Sequence, residues 1–172
     1  MHCTSAVRSV LVAIIVCVLT CLALTAPVLP SRALPPDLRS LSGLSHVRVS
    51  VDALPPNLRR MGVTRKSAVA RLSNRLRAGD IEIVEDQAMP LVLLRFEEAL
   101  DVSAPRAIGF SATISLEQSA HVDRIQQRLR VPTFHHTRIA LFDQEEAVKM
   151  IPVAIELVVD HLLAGVKATT MR

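Results

Sequence analysis

The one adjacent pair of histidines in the chain, His135 and His136, stands in "VPTFHHTRIALF", residues 131–142. Imidazole is the commonest protein metal ligand, so the pair raises metal chemistry first. On a strand, however, neighbouring side chains leave opposite faces, and two such histidines can share an ion only across a bulge. A structural zinc also needs further Cys, His or carboxylate ligands converging on one point. The three cysteines, Cys3, Cys17 and Cys21, all lie near the amino terminus, and His121 and His161 fall on other elements. The expectation is no metal, with one histidine half-buried and the other solvated.

Other chemistry is sparsely provided. Ser111 in "GFSAT" sits on the polar face of an alternating segment rather than on a strained strand-to-helix elbow. A hydrolase using Ser111 and a histidine is the alternative from the enzyme class, and it requires the two within hydrogen-bond reach. The acidic neighbours Glu85–Asp86 and Glu97–Glu98 diverge if they lie on strands, so neither pair works as adjacent acid and base. No Gly-rich phosphate loop is present, and no cofactor is expected. Residues 59–77 carry Arg59, Arg60, Arg65, Lys66, Arg71, Arg75 and Arg77 without a single acid. Arg71, Arg75, Arg65 and Lys66 are thus the candidate interaction face, for an anionic surface or an acidic partner, against the plainer reading of a solvated helix face.

The elements that would position these residues follow a leader. Residues 1–33 read as a secretory signal: Arg8, an uncharged apolar run over 9–29, then Ser31 and Ala33 at small-x-small spacing, with cutting expected after Ala33. The alternatives are an uncleaved anchor, since the run approaches the roughly 20 residues that span a bilayer, and lipidation at Cys21. Without Arg8 and Arg32 the formal net charge of +4 becomes +2, which makes no case for nucleic acid. With no Trp, no Tyr and four Phe, the chain also lacks stacking platforms for bases or sugars.

Residues 34–45 read as a Pro-rich linker, 46–168 as a single α/β domain and 169–172 as a tail. "HVRVSVD" alternates as a half-buried strand, and "ALPPNLRRMG" reads as a loop. Thr64 is a plausible N-cap for a helix over 65–79 that lines up Val69, Leu72 and Leu76, with Gly79 at its end. "DIEIVED" and "PLVLLRFEEAL" are strands, the latter with Val92, Leu94 and Phe96 on one face. "AIGFSATISLEQSAHV" is the strongest period-two signal in the chain. The segment over 128–142 is a poorer strand, and Pro132 in it argues for an edge or a bulge. The closing helix begins near Asp143 and Glu146, carries Pro152, and ends at Gly165 and Lys167. Ala147, Val148, Ile151, Ala154, Ile155, Val158 and Leu162 form its stripe. Val153, Leu157 and Val159 widen that stripe, so much of the helix is expected to be covered. The fold class is α/β (α+β) in the order β-α-β-β-β-β-α, a mixed sheet with its first two strands parallel and both helices on one face.

"LRSLSGLSHVRVSVDAL", "AVARLSNRLRAGDIEIVED" and "PLVLLRFEEAL", followed by a long alternating strand and an apolar terminal helix, resemble a loose group of exported bacterial α/β proteins of unknown function. The helix-to-strand phrase, here Leu76, Gly79, Ile81 and Ile83 with Asp80 inserted, is similar to that of TolB amino-terminal and CsgG-like envelope modules. The resemblance implies a small module that binds other envelope proteins, and it carries over no catalytic residue. The strand around Phe134 departs from the group's usual Trp-bearing one. The expected protein is therefore exported to the periplasm or beyond, a non-catalytic binding or assembly module. Its contacts would be the basic helix and an edge strand at Phe134, His135 and His136 that could accept a partner strand. A membrane-anchored accessory subunit, held by residues 9–29, is the remaining alternative. Membrane contact is expected only through that leader or the basic helix.

Overall fold

A computed structural model describes residues 34–100 and 107–170, so the leader and its cleavage, anchor and lipidation readings lie outside the described residues. The element order is α1 (Pro36–Arg39), β1 (His46–Val51), α2 (Pro56–Arg60), α3 (Arg65–Arg77), β2 (Glu82–Ile83), β3 (Leu91–Leu100), β4 (Ala107–Val122), β5 (Gln127–Asp143) and α4 (Gln144–Thr170). Apart from the short α1 and α2, this is the predicted order. The five strands form one mixed sheet in the order β2-β1-β3-β4-β5. β1 runs parallel to both β2 and β3, while β3, β4 and β5 form an antiparallel meander.

Alternation along each strand divides the sheet into two unlike faces. Val47 and Val51, then Val92, Leu94 and Phe96, then Phe110, Ala112, Ile114 and Leu116 are buried toward α3 and α4. The other face carries polar side chains tied to one another. Arg95 Nε donates to Asp52 at 2.7 Å, Arg48 to Gln87 at 2.6 Å, and the Thr113 and Thr137 hydroxyls meet at 2.9 Å. Among the described residues both long helices pack against the apolar face. The α/β class with helices on one side of the sheet is as the periodicity implied.

α3 starts where expected. Thr64 Oγ1 accepts from Ser67 N at 3.0 Å, and Ser67 Oγ accepts from Thr64 N at 3.2 Å, a reciprocal capping box. Ala68, Leu72 and Leu76 are buried, with Val69 packed at the rim. At the far end the left-handed residue is Asp80, at φ 64°, not Gly79; a short Asx side chain tolerates that conformation. Gly79 is instead a point of contact, since a Cβ there would collide with a methyl of Leu163 on α4.

Four further expectations are corrected. The "linker" over 34–45 contains α1, and Leu41 and Leu44 are buried core residues. The loop after β1 contains α2, whose Leu58 is buried, because a proline at its first position presets the helical φ. α4 does not stop at Gly165 but continues to Thr170, so the tail is partly helical. Gly165 lies inside α4, where a Cβ would stand 2.5 Å from Leu41 Cδ1. Finally, α4 is covered on one side only. Ile151, Ile155, Val158, Val159 and Leu162 are buried, but Val153 and Leu157 remain 39% and 46% exposed.

β5 is irregular in one place. Leu116 pairs with Phe134 and Glu117 with Pro132, so Thr133 is an extra residue in the ladder. Its hydroxyl donates to Gln118 Oε1 at 2.9 Å, and its carbonyl accepts from Ser40 Oγ at 3.0 Å, tying the bulge to the end of α1.

Candidate functional site

The two sheet edges are unequal: β2 is two residues long and β5 is 17. On β5 the candidate residues separate by face. Phe134 is buried beneath α4, His135 points to the open face opposite Ser115, and His136 points to the helix face. His136 stacks on His161 of α4 with ring centroids 3.7 Å apart and planes 15° from parallel, and Phe134 lies 6.2 Å from the same imidazole. Sequence reasoning kept His161 apart from the pair; a helix that folds straight back along β5 brings it there. Stacked rings aim their nitrogens sideways rather than at a common point. No cluster of three metal-ligating side chains occurs among the described residues.

His136 Nε2 is buried and has no hydrogen-bond partner among the described residues. Burial pushes its pKa below the usual histidine value, and the nearby His161, Arg138 and His135 push it the same way. His136 therefore packs best uncharged, in an aromatic contact with His161 that fastens β5 to α4.

The register places Ser111 opposite Ile139 on β5 and Glu97 on β3. His135 lies opposite Ser115, four residues further on, or about 13 Å along the strand. The strand geometry thus separates the nucleophile and base of the hydrolase reading. Glu97 and Glu98 diverge, Glu98 accepting from the backbone N–H and side-chain amide of Asn57 at 3.3 and 3.4 Å.

Two of the five cations on the basic helix are compensated from within the fold. Arg71 meets Glu156 at 2.7 Å and Arg75 meets Asp160 at 2.5 Å, both on α4. The hydrogen bond and charge of Asp160 raise the Arg75 pKa further. Arg65 reaches Ser50 Oγ at 3.3 Å, and Lys66 lies beside it on the same exposed turn. An open groove of about 740 Å³ runs between α3 and α4, lined mainly by small and aliphatic side chains such as Ala68, Ala78, Ile151 and Pro152. It contains Ser67 and Asn74 but neither a histidine nor a nucleophile–base pair.

The outer edge of β5 has a different character. Ile139 and Leu141 are 82% and 71% exposed on the open face, against Ser111 and Gly109 of β4. Ala140 and Phe142 face α4 and pack on the core. The four residues Ile139–Phe142 near the end of this edge strand are therefore apolar on both faces, with Arg138 and Asp143 as the charges on either side of them. Natural edge strands usually carry charges or proline against strand addition. The sequence signal was present in the run "IALF", where two interleaved apolar sets occupy both faces.

No family model matches the chain, and no curated protein matches it. Solved structures with a similar fold include a minor lipoprotein from Acinetobacter baumannii, at 10% identity and TM-score 0.43 over 74% of this chain and 93% of that one. Rare lipoprotein B from Shewanella oneidensis matches at 12% identity and TM-score 0.38 over 74% and 97%. PelC from Paraburkholderia phytofirmans, solved as a dodecamer, matches at 14% identity and TM-score 0.38 over 72% and 86%. These are distant likenesses of fold, two of them to bacterial lipoproteins.

Proposed function

We propose that this chain is an exported protein of the cell envelope that performs no chemistry of its own and serves as a binding or assembly module. Its docking element is the outer edge of β5, which takes up a partner strand. The observation that carries this reading is the ten-residue stretch beyond the bulge, 134–143: an edge with bare Ile139 and Leu141 and with backbone groups facing away from β4. Export rests on the leader over 1–33, removed or kept as an anchor. No helix among the described residues is long and apolar enough to cross a membrane. The basic helix has less claim as the docking element, because Arg71 and Arg75 already meet carboxylates of α4.

The test is a photo-crosslinking residue placed in turn at His135, Thr137 and Lys66 of the full chain, expressed in cells and followed by fractionation. The expected result is a discrete protein adduct from the two β5 positions in the envelope fraction, and none from Lys66. Adducts from Lys66 alone, or a chain confined to the cytosol, would overturn the reading.

A further inference from the structure

We infer that the strand taken up by β5 is β5 of a second copy, paired antiparallel about a two-fold axis at Ile139. This rests on the edge-docking reading above and names its partner.

The usable stretch is limited at one end. Pro132 has no N–H to give, Thr133 is bulged, and the Thr133 carbonyl is taken by Ser40. The free edge therefore runs from Phe134 to Asp143. An isologous pair of strands must be complementary to itself. With the axis at Ile139, the open face sets Ile139 against Ile139, Thr137 against Leu141, and His135 against Asp143. Each of the last two pairs occurs twice. The two most exposed large apolar side chains among the described residues gain cross-strand neighbours, and an imidazole meets a carboxylate at both ends. On the helix face Arg138 falls opposite Ala140, whose small side chain leaves room for the guanidinium, and His136 falls opposite Phe142. No like charges stand directly across from each other.

The helix layer supports the same axis independently. α4 starts where β5 ends and returns across β4 and β5. At about 3.4 Å per strand residue and 1.5 Å per helix residue, His136 should lie level with the region of His161, and their rings are indeed stacked. On the same scale Ile139, about 14 Å back from Asp143, lies level with Val153. Val153, Leu157 and His161 follow each other at i, i+4 and i+8, on the side of α4 that meets the edge strand. Val153 and Leu157 are the residues left 39% and 46% exposed. Neighbouring strands are about 4.8 Å apart, and α4 straddles β4 and β5. The two α4 axes would then be about 10 Å apart, close to the 8–10 Å at which helices pack. One two-fold axis thus brings the exposed apolar residues of both layers together with their copies and makes a continuous ten-stranded sheet.

The experiment uses the full chain in mild detergent, with Cys3, Cys17 and Cys21 changed to Ser. A residue opposite itself on antiparallel strands has a Cα separation of about 4.5–5.5 Å, within disulfide range. Ile139→Cys should therefore convert to a disulfide-linked dimer under mild oxidation. Thr137→Cys, about 14 Å from its own copy, should not link to itself but should link when mixed with Leu141→Cys. Ile139→Lys should sediment as a monomer with an unchanged far-ultraviolet circular dichroism spectrum, since the side chain is exposed in the single chain, and its melt should no longer depend on protein concentration. Failure of Ile139→Cys to link, or equal self-linking by Thr137→Cys, overturns the two-fold. If linking fails while the photo-crosslinker at His135 still captures a different envelope protein, self-pairing is wrong and edge docking stands. If both fail, both readings fall.

Discussion

Leu41 and Gly165 offer a quantitative test of whether residues 34–45 belong to the core. Leu41 is fully buried, and its Cδ1 stands 2.5 Å from where a Cβ of Gly165 would be. Leu41→Ala should destabilise by about 2–5 kcal/mol, the usual range for a buried leucine. Gly165→Ala combines two opposed effects. Alanine in a helix interior is favoured by about 1 kcal/mol, whereas an extra methyl in a filled site costs about 1–3 kcal/mol. The net result should be a loss of about 0–2 kcal/mol. In the Leu41→Ala background the tighter contact is gone and only Leu38 Cδ2, at 3.2 Å, still presses on the new Cβ, so most of the overpacking penalty disappears. The same Gly165→Ala change should then stabilise by about 1 kcal/mol or more, helped by burial of a methyl group at about 0.8 kcal/mol. The sign of one substitution thus reverses with its neighbour, which a double-mutant cycle reads directly. Urea melts followed by far-ultraviolet circular dichroism suit a chain without Trp or Tyr. If Leu41→Ala costs under about 1 kcal/mol, or if Gly165→Ala stabilises the parent protein by its full helix propensity, the contact described above is wrong.

The His136–His161 stack predicts an acid-sensitive fold. With its folded-state pKa lowered by burial, His136 binds fewer protons folded than unfolded, so its share of stability is intact above about pH 6.5. That share is lost as the pH falls through this value toward the folded-state pKa; melting temperatures between pH 7.5 and 5 should drop, and His136→Phe should flatten the slope. Thr64→Ala should cost about 1 kcal/mol by opening the capping box with Ser67, while Thr64→Ser should retain most of it; urea midpoints distinguish the two. Phe134→Ala, removing a buried ring between β5 and α4, should cost about 3–5 kcal/mol and should release His161, read as a changed imidazole proton resonance.

The parts of the fold that were legible in the sequence are those governed by local period. Alternation over 107–122 located β4 to the residue, and Thr64 located the start of α3, because pleat and cap are short-range effects. Pro132 announced both of the features suggested for it: β5 is an edge, and the ladder is bulged beside that proline. What stayed hidden depends on long-range contact. Nothing local distinguishes Leu41 in a Pro-rich stretch from a solvated linker residue, since its burial comes from Gly165, more than a hundred residues later. Glycine's usual local role is at helix ends; Gly79 does stand there, just past Ala78, whereas Gly165 lies inside α4, and each also makes space for a leucine. His161 met His136 only through the return path of α4. The exposure of Val153 and Leu157 likewise depends on α4 standing over the last strand of the sheet, with no further strand beyond it.

The extra residue at Thr133 has one more consequence. A strand keeps its side chains in phase with the pleat, and a single insertion reverses that phase for everything on one side of it. Before Thr133 the even-numbered residues look out from the open face, as Arg130 does in reaching the Gln87 carbonyl at 2.9 Å; after it the odd-numbered ones do. β5 is thus two messages read in opposite frames, one writing the hairpin tip and the other the edge with Ile139 and Leu141. Deleting Thr133 would merge the frames: either the tip turns its arginines toward the helix side, or His136 and Phe142 are turned out to water.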